Sequence, residues 1–159
     1  MVERLDSGNH HALKLWPVVL LRVFTGIYFT WHGATKIMRG NFADGMQGFL
    51  NNSLETSPQL YRLFIEGVVL PNSGVFAPLV AWGEFAIGVS MVLGLATRYA
   101  AFCGALMMLN FWLAKGGGVL SGASSDFLWM LLFIVLGLIP AGRIAGLDDG
   151  LSDRLPFLR

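Results

Sequence analysis

The chain has 159 residues, 55% of them hydrophobic and 13% charged, with a mean hydropathy of +0.62. A soluble domain carries about a quarter charged residues, and twelve Phe with five Trp give more apolar surface than a soluble core of this size hides, so the bilayer is the solvent that fits. The net charge of +1 speaks against a nucleic-acid partner, and the single cysteine, Cys103, excludes an intrachain disulfide, a CxxC pair and a cysteine-based metal site.

The first apolar segment covers residues 15–37 and contains Arg22, His32 and Lys36. Arg4 and Lys14 resemble the basic region of a signal peptide, but the run continues through Arg22 to His32 without a small-residue cleavage pattern. It reads as a retained first helix. The connection over residues 38–74 is polar around 51–57 and is broken by Pro58, Pro71 and Gly74. Between the prolines, Leu60, Leu63, Phe64 and Gly67 recur at helical spacing while Arg62 and Glu66 stand four apart. That pattern predicts a short amphipathic helix on the membrane surface, compatible with a simple cap over the bundle mouth.

The second segment, residues 75–97, holds one ionisable residue, Glu84. The third, 98–115, lies between Arg98 and Lys115, and the fourth, 126–143, between Asp126 and Arg143. Crossing the hydrocarbon takes about 20 residues; the last two segments are slightly short, and snorkelling Lys and Arg close the gap. The tight link over residues 96–99 predicts an antiparallel hairpin, and GGGVLSGASS (residues 116–125) a flexible loop. The expected fold is all-α: a single membrane domain, a four-transmembrane-helix bundle with a short amphipathic interfacial helix between the first two spans. Arg4, Lys14, Arg98, Arg143, Arg154 and Arg159 fall on one side, against Lys36, Arg39, Arg62 and Lys115 on the other. This small bias places both termini in the cytoplasm of an inner-membrane, multi-pass protein.

Ionisable residues inside a span are candidate functional groups, because burying them unpaired in hydrocarbon is costly. Arg22, Gly26, Phe29, Gly33 and Lys36 follow one face of the first helix, with glycines that admit another helix or a flat ligand. Glu84, Gly88, Met91, Leu95 and Arg98 form a similar stripe on the second. Glu84 is expected to pair with Arg22, His32 or Lys36. Asn110, seven residues after Cys103, is expected to face the same interior. Asp126 opens the fourth helix, where a carboxylate also complements the helix dipole. His32 has no second ligand at metal spacing on its helix, so no metal is expected. Trp31, Trp82, Trp112 and Trp129 read as interface anchors or packing. Ala100 with Gly104, and Gly137 with Ala141, are spaced for close helix packing.

No nucleotide loop, haem-ligating pair, flavin fingerprint or nucleophile constellation is present, so no cofactor is built in. Redox chemistry would need a lipid-soluble cofactor such as a quinone, or a centre on a partner. In that scheme Glu84, His32 and Asp126 are the candidate catalytic residues, with Glu84 or Asp126 relaying protons. Arg22, Lys36, Arg98, Asn110 and Trp31 are the candidate substrate or quinone contacts.

LLRVFTGIYFTWHGATKIM (residues 20–38) resembles the opening of the DoxX/DoxD membrane family. WGEFAIGVSMVLGLATRYAAFCGALMMLNFWL (82–113) is similar to its glutamate, glycine-rich helix, GL.TR turn and Asn-bearing helix, and AGRIAGLDDGL (141–151) to its ending. The insert over 38–74 is closer to the DoxD-like branch, the thiosulfate:quinone oxidoreductase small subunit. The resemblance implies a four-helix membrane subunit in quinone-linked sulfur or thiol oxidation. It implies partners as well: lipid, other membrane or redox subunits, or further copies of the chain. Other members resemble non-catalytic scaffold or assembly subunits. A transporter is the weakest reading, for want of an inverted repeat or broken helix.

Overall fold

In the computed structural model the described chain is all-α, covering backbone residues 3–120, 124–142 and 145–151, with side chains over 16–120, 125–142 and 145–150. Arg143, Arg154, Arg159 and the side chains of Arg4 and Lys14, on which the orientation bias partly rests, lie outside the described residues. The helices are α1 (Glu3–Met38), α2 (Phe42–Ser53), α3 (Gln59–Phe64), α4 (Ser73–Leu93), α5 (Thr97–Ala114), α6 (Ser124–Leu138) and α7 (Leu147–Leu151). A π-helical turn, Ile65–Val69, continues α3 directly.

Three boundaries differ from expectation. α1 begins twelve residues before the apolar segment does (3 against 15), carrying Pro17 within it. α4 stops at Leu93 because Gly94 turns left-handed at φ +64° and ends the helical hydrogen bonding. α6 stops at Leu138, just before Pro140. The loop between the first two apolar segments also holds one helix more than expected, α2. Among the described residues one helix, Ser73–Leu93, is both long and apolar enough to cross a membrane; Ser125–Leu138 is apolar but shorter.

α1, α4, α5 and α6 pack as an up-down bundle. The closest contact is the antiparallel seam between α1 and α4, where helix backbones touch. A Cβ added to Gly26 would stand 2.6 Å from the backbone nitrogen of Val92, and one on Gly33 would stand 2.7 Å from the Cα of Phe85. On Gly88 it would run into the backbone nitrogen of Thr30. Small residues permit this approach, and dispersion between the backbones holds it. α5 and α6 repeat the device more loosely: Gly104 faces the ring of Phe133, and Gly137 faces Ala101. α6 returns to α1 through aromatic rings, with Phe29 edge-on to Trp129 (5.5 Å) and Phe133 (4.8 Å) and Tyr28 stacked on Trp129 (4.6 Å). Phe29, Met91, Met108, Phe133 and Leu136 form the bundle core.

A second, smaller core caps one end. Met46 and Leu50 of α2 and Ile65 and Val69 of the π turn bury against Ala77 and Ala114. Polar ties fasten this cap: Ser57 donates to the carbonyl of Ala114 at 2.7 Å, and Gln47 donates to the Ser73 hydroxyl. The outer faces of α2 and α3 differ in kind. α2 shows Asp44, Gln47, Asn51 and Asn52 outward, whereas α3 and the π turn expose Leu60, Leu63, Phe64 and Val68.

Candidate functional site

The charged groups of the two apolar stripes separate to opposite ends of the bundle. Arg22 and Lys36 stand fourteen residues apart on α1, about 21 Å along its axis, and each finds a different partner.

Lys36 pairs with Glu84 at 2.5 Å across the α1–α4 seam. The Glu84 side chain is 5% exposed and Lys36 22%, so the carboxylate is almost wholly inside. Its Oε2 is buried without a hydrogen-bond partner. The ammonium sits 5.2 Å from the ring centre of Phe42 and 5.4 Å from that of Phe111, and both faces attract a cation. A cavity of about 180 Å³ opens beside it, walled by Lys36, Phe42, Ala77, Ala81 and Trp82 where α1, α2 and α4 meet. The pair therefore joins a hydrogen-bond donor to a carboxylate oxygen with unused capacity, in apolar surroundings beside a void.

Around this pair the other expected site residues divide. Asp126 lies in the first turn of α6 and pairs with Lys115 at 2.7 Å, joining α6 to the end of α5. His32 is exposed with its ring tilted 42° against that of Tyr28 (4.3 Å), on the flank facing α6, so the structure does not bring it to Glu84. Trp31 is 67% exposed and points outward. Asn110 does not face the bundle interior. The buried edge of α5 runs through Thr97, Ala100, Ala101, Gly104 and Met108, which leaves Cys103 and Asn110 on the exposed side. There Tyr61 donates to Asn110 Oδ1 at 2.9 Å, and burial pushes the Tyr61 phenol up to about 12, so it keeps its proton and stays a donor.

At the far end, Arg22 is 1% exposed and donates to the carbonyls of Ala141 (2.7 Å) and Ala145 (3.0 Å), in the segment after α6. It neither snorkels nor lines the Lys36 cavity. Arg98 does not continue the α4 stripe, because that helix has already ended; it is the second residue of α5 and is exposed. The same end holds a residue that sequence reasoning missed. Asp148 accepts from the backbone N–H groups of Ala96 (2.6 Å) and Thr97 (3.1 Å), and its own N–H donates to the carbonyl of Gly94 (2.9 Å). α5 thus takes its N-terminal cap from a residue some fifty positions away, which a motif search within the GLATR turn does not find. Asp148→Ala should release both amides and cost about 0.5–2 kcal/mol. Hydrogen exchange would register this as faster exchange at Ala96 and Thr97, with Lys36-end amides unchanged.

The family model of DoxX matches residues 18–116, from inside α1 to the end of α5. The chain belongs to the DoxX family. Its DoxX region includes Arg22, Lys36, Glu84 and Asn110, while Asp126 and the Asp148 cap lie beyond it. The DoxX family is membrane-associated, and the long apolar helix α4 is consistent with that. No curated protein and no solved structure matches the chain.

Proposed function

We propose that this DoxX protein is a multi-pass membrane subunit with α1, α4, α5 and α6 as its spans, serving quinone-linked oxidation of a sulfur compound or thiol. The observation that carries the reading is the buried Lys36–Glu84 pair, with its unpartnered carboxylate oxygen and adjoining cavity. A quinone ring needs a donor to its carbonyl and a proton route as it is reduced. Lys36 supplies the donor, and Glu84, in contact with it, takes and returns the proton. An ammonium among apolar walls also suits a sulfur oxyanion. Electrons come from a centre on a partner subunit. The quinone and sulfur steps draw their support from the resemblance of residues 38–74 to the DoxD-like branch.

The membrane placement has support of its own. Leu20, Phe24, Ile27 and Trp31 form an exposed apolar stripe on α1; Leu128, Leu131, Ile134 and Leu138 form one on α6. Large apolar side chains stand outward on α4 and α5 as well, at Val75, Leu79, Trp82 and Phe102. Such continuous exposure suits lipid and not water. Trp16 stands at one end of this belt and Trp31 with Trp82 near the other, as interface anchors do.

Reconstituted membranes holding the complete complex should reduce a soluble quinone analogue when given thiosulfate or a thiol. Glu84→Gln should lower that rate by roughly a hundredfold or more if the carboxylate moves protons. Unchanged turnover in correctly assembled Glu84→Gln complexes overturns the catalytic role.

A second reading, a scaffold or assembly subunit, is favoured by one observation: Arg22 and Asp126 are both committed to structural bonds. Under it, Glu84→Gln lowers the amount of assembled complex recovered in mild detergent and leaves turnover per complex untouched.

A further inference from the structure

A cavity of about 350 Å³ lies outside the Lys36–Glu84 site. It lies between α4 and α5, roofed by α2, α3 and the π turn, and falls at the small end of the roughly 300–1,000 Å³ typical of small-molecule pockets. Phe111 separates the two: one ring lines the cavity and lies under the Lys36 ammonium. From these features we propose that the cavity is a binding site for a lipid-soluble ligand with a single-ring head, entered sideways from the bilayer and hydrogen-bonded by the Tyr61–Asn110 pair. The inference rests on the membrane reading above and not on its redox step.

The route of entry follows from exposure. Along α5, Cys103, Leu106 and Asn110 both line the cavity and are exposed, and Leu79 of α4, another lining residue, is 63% exposed. The cavity is therefore a cleft open on the flank of the bundle, at the level of the outward apolar belt. Its roof faces lipid too, since Leu60 and Leu63 of α3 are 82% and 60% exposed while Tyr61 and Phe64 of the same helix line the cleft. A water-soluble ligand would have to cross apolar surface to reach it. The π turn brings Val69 to the cleft wall, and π turns recur at functional sites.

The ring-shaped head follows from the lining. Tyr61, Phe64, Phe76 and Phe111 present aromatic surface, and Met46 and Met107 add sulfur, which packs well against a ring. One polar pair interrupts this apolar wall. Tyr61 donates to Asn110 Oδ1, and Asn110 Nδ2 gives one hydrogen to the carbonyl of Leu106 at 2.7 Å. An amide nitrogen has two hydrogens and a phenol oxygen has lone pairs, so the pair offers a bound head both a donor and an acceptor. A saturated acyl chain has no use for either.

The test is photolabelling in native-like vesicles with an alkylphenol bearing an aryl diazirine, the adducts being mapped by mass spectrometry. The expected result is adducts concentrated on the cleft residues, among them Cys103 and Met107, and displaced by excess 4-decylphenol but not by 1-decanol. Leu106→Trp, at the exposed mouth, should abolish the displaceable fraction. Tyr61→Phe, which keeps the ring, should weaken displacement by about three- to tenfold, the worth of one hydrogen bond. Adducts scattered over the outer faces of α1 and α6, or equal displacement by 1-decanol, overturn the proposal. Alkaline carbonate extraction of the same vesicles tests the membrane reading separately, and quinone turnover tests the redox reading.

Discussion

Gly33→Val and Gly88→Val should each keep α1 and α4 from closing, the largest effect expected of any single substitution in the bundle. The obstruction is not another side chain that can rotate away. At Gly33 the new atom meets the backbone of Phe85 and the carbonyl of Ala81, and at Gly88 it meets the backbone of Thr30. Ordinary overpacking costs about 1–3 kcal/mol; where helix backbones must separate along a whole seam, about 3 kcal/mol or more is expected. The Lys36–Glu84 pair would part with the seam, so stability and site are lost together. The measurement is the midpoint of unfolding in a denaturing-detergent titration, with the yield of monodisperse helical protein beside it. Gly48→Ala is the control: it sits within α2 with nothing near its side-chain position, and should stabilise the protein by about 0.5–1 kcal/mol.

The second large effect concerns the ion pair, and the two halves should not behave alike. Lys36→Met leaves Glu84 inside the seam with neither oxygen partnered. Breaking a buried pair from one side costs about 3–5 kcal/mol. Glu84→Gln leaves a lysine that is already 22% exposed on a four-carbon stem, and such a side chain can reach for the interface. Lys36→Met should therefore be the more damaging change, and adding Glu84→Gln to it should recover stability. A double-mutant cycle read by the same titration checks both statements. Equal single-site losses that simply add would show that the two groups do not interact.

The helices of the bundle are legible because each is a long, predominantly apolar segment with few charges inside it, and Glu84 stands out as the one charged residue within the second. α2 was harder to see. FADGMQGFLNNS contains two glycines and two asparagines, all weak helix formers, and only the spacing of Phe42, Met46, Leu50 and Ser53 betrays the face that it buries. The faces of α5 were misjudged for a different reason. Hydropathy tells which residues are apolar, but not which of them meet α6 and which stay on the outer surface; with Ala, Leu and Met all round the helix, Asn110 fits either side. The partners of Arg22 and the capping role of Asp148 are hydrogen bonds to backbone, and a carbonyl at Ala141 or an amide at Ala96 leaves no mark in the choice of side chain.

The housing of Arg22 bears on how such a chain is made. Its acceptor carbonyls lie 119 and 123 residues downstream, so if α1 is a span, as proposed above, it enters the membrane before they are made. Through that interval the guanidinium must stay with water, headgroups or the insertion machinery, and α1 cannot settle to its final depth. On that reading, emergence of the segment after α6 supplies the carbonyls that let Arg22 move inward. Nascent chains stalled before Ala141 should hold α1 nearer the interface than released chains do, a difference that accessibility labelling along α1 would read directly.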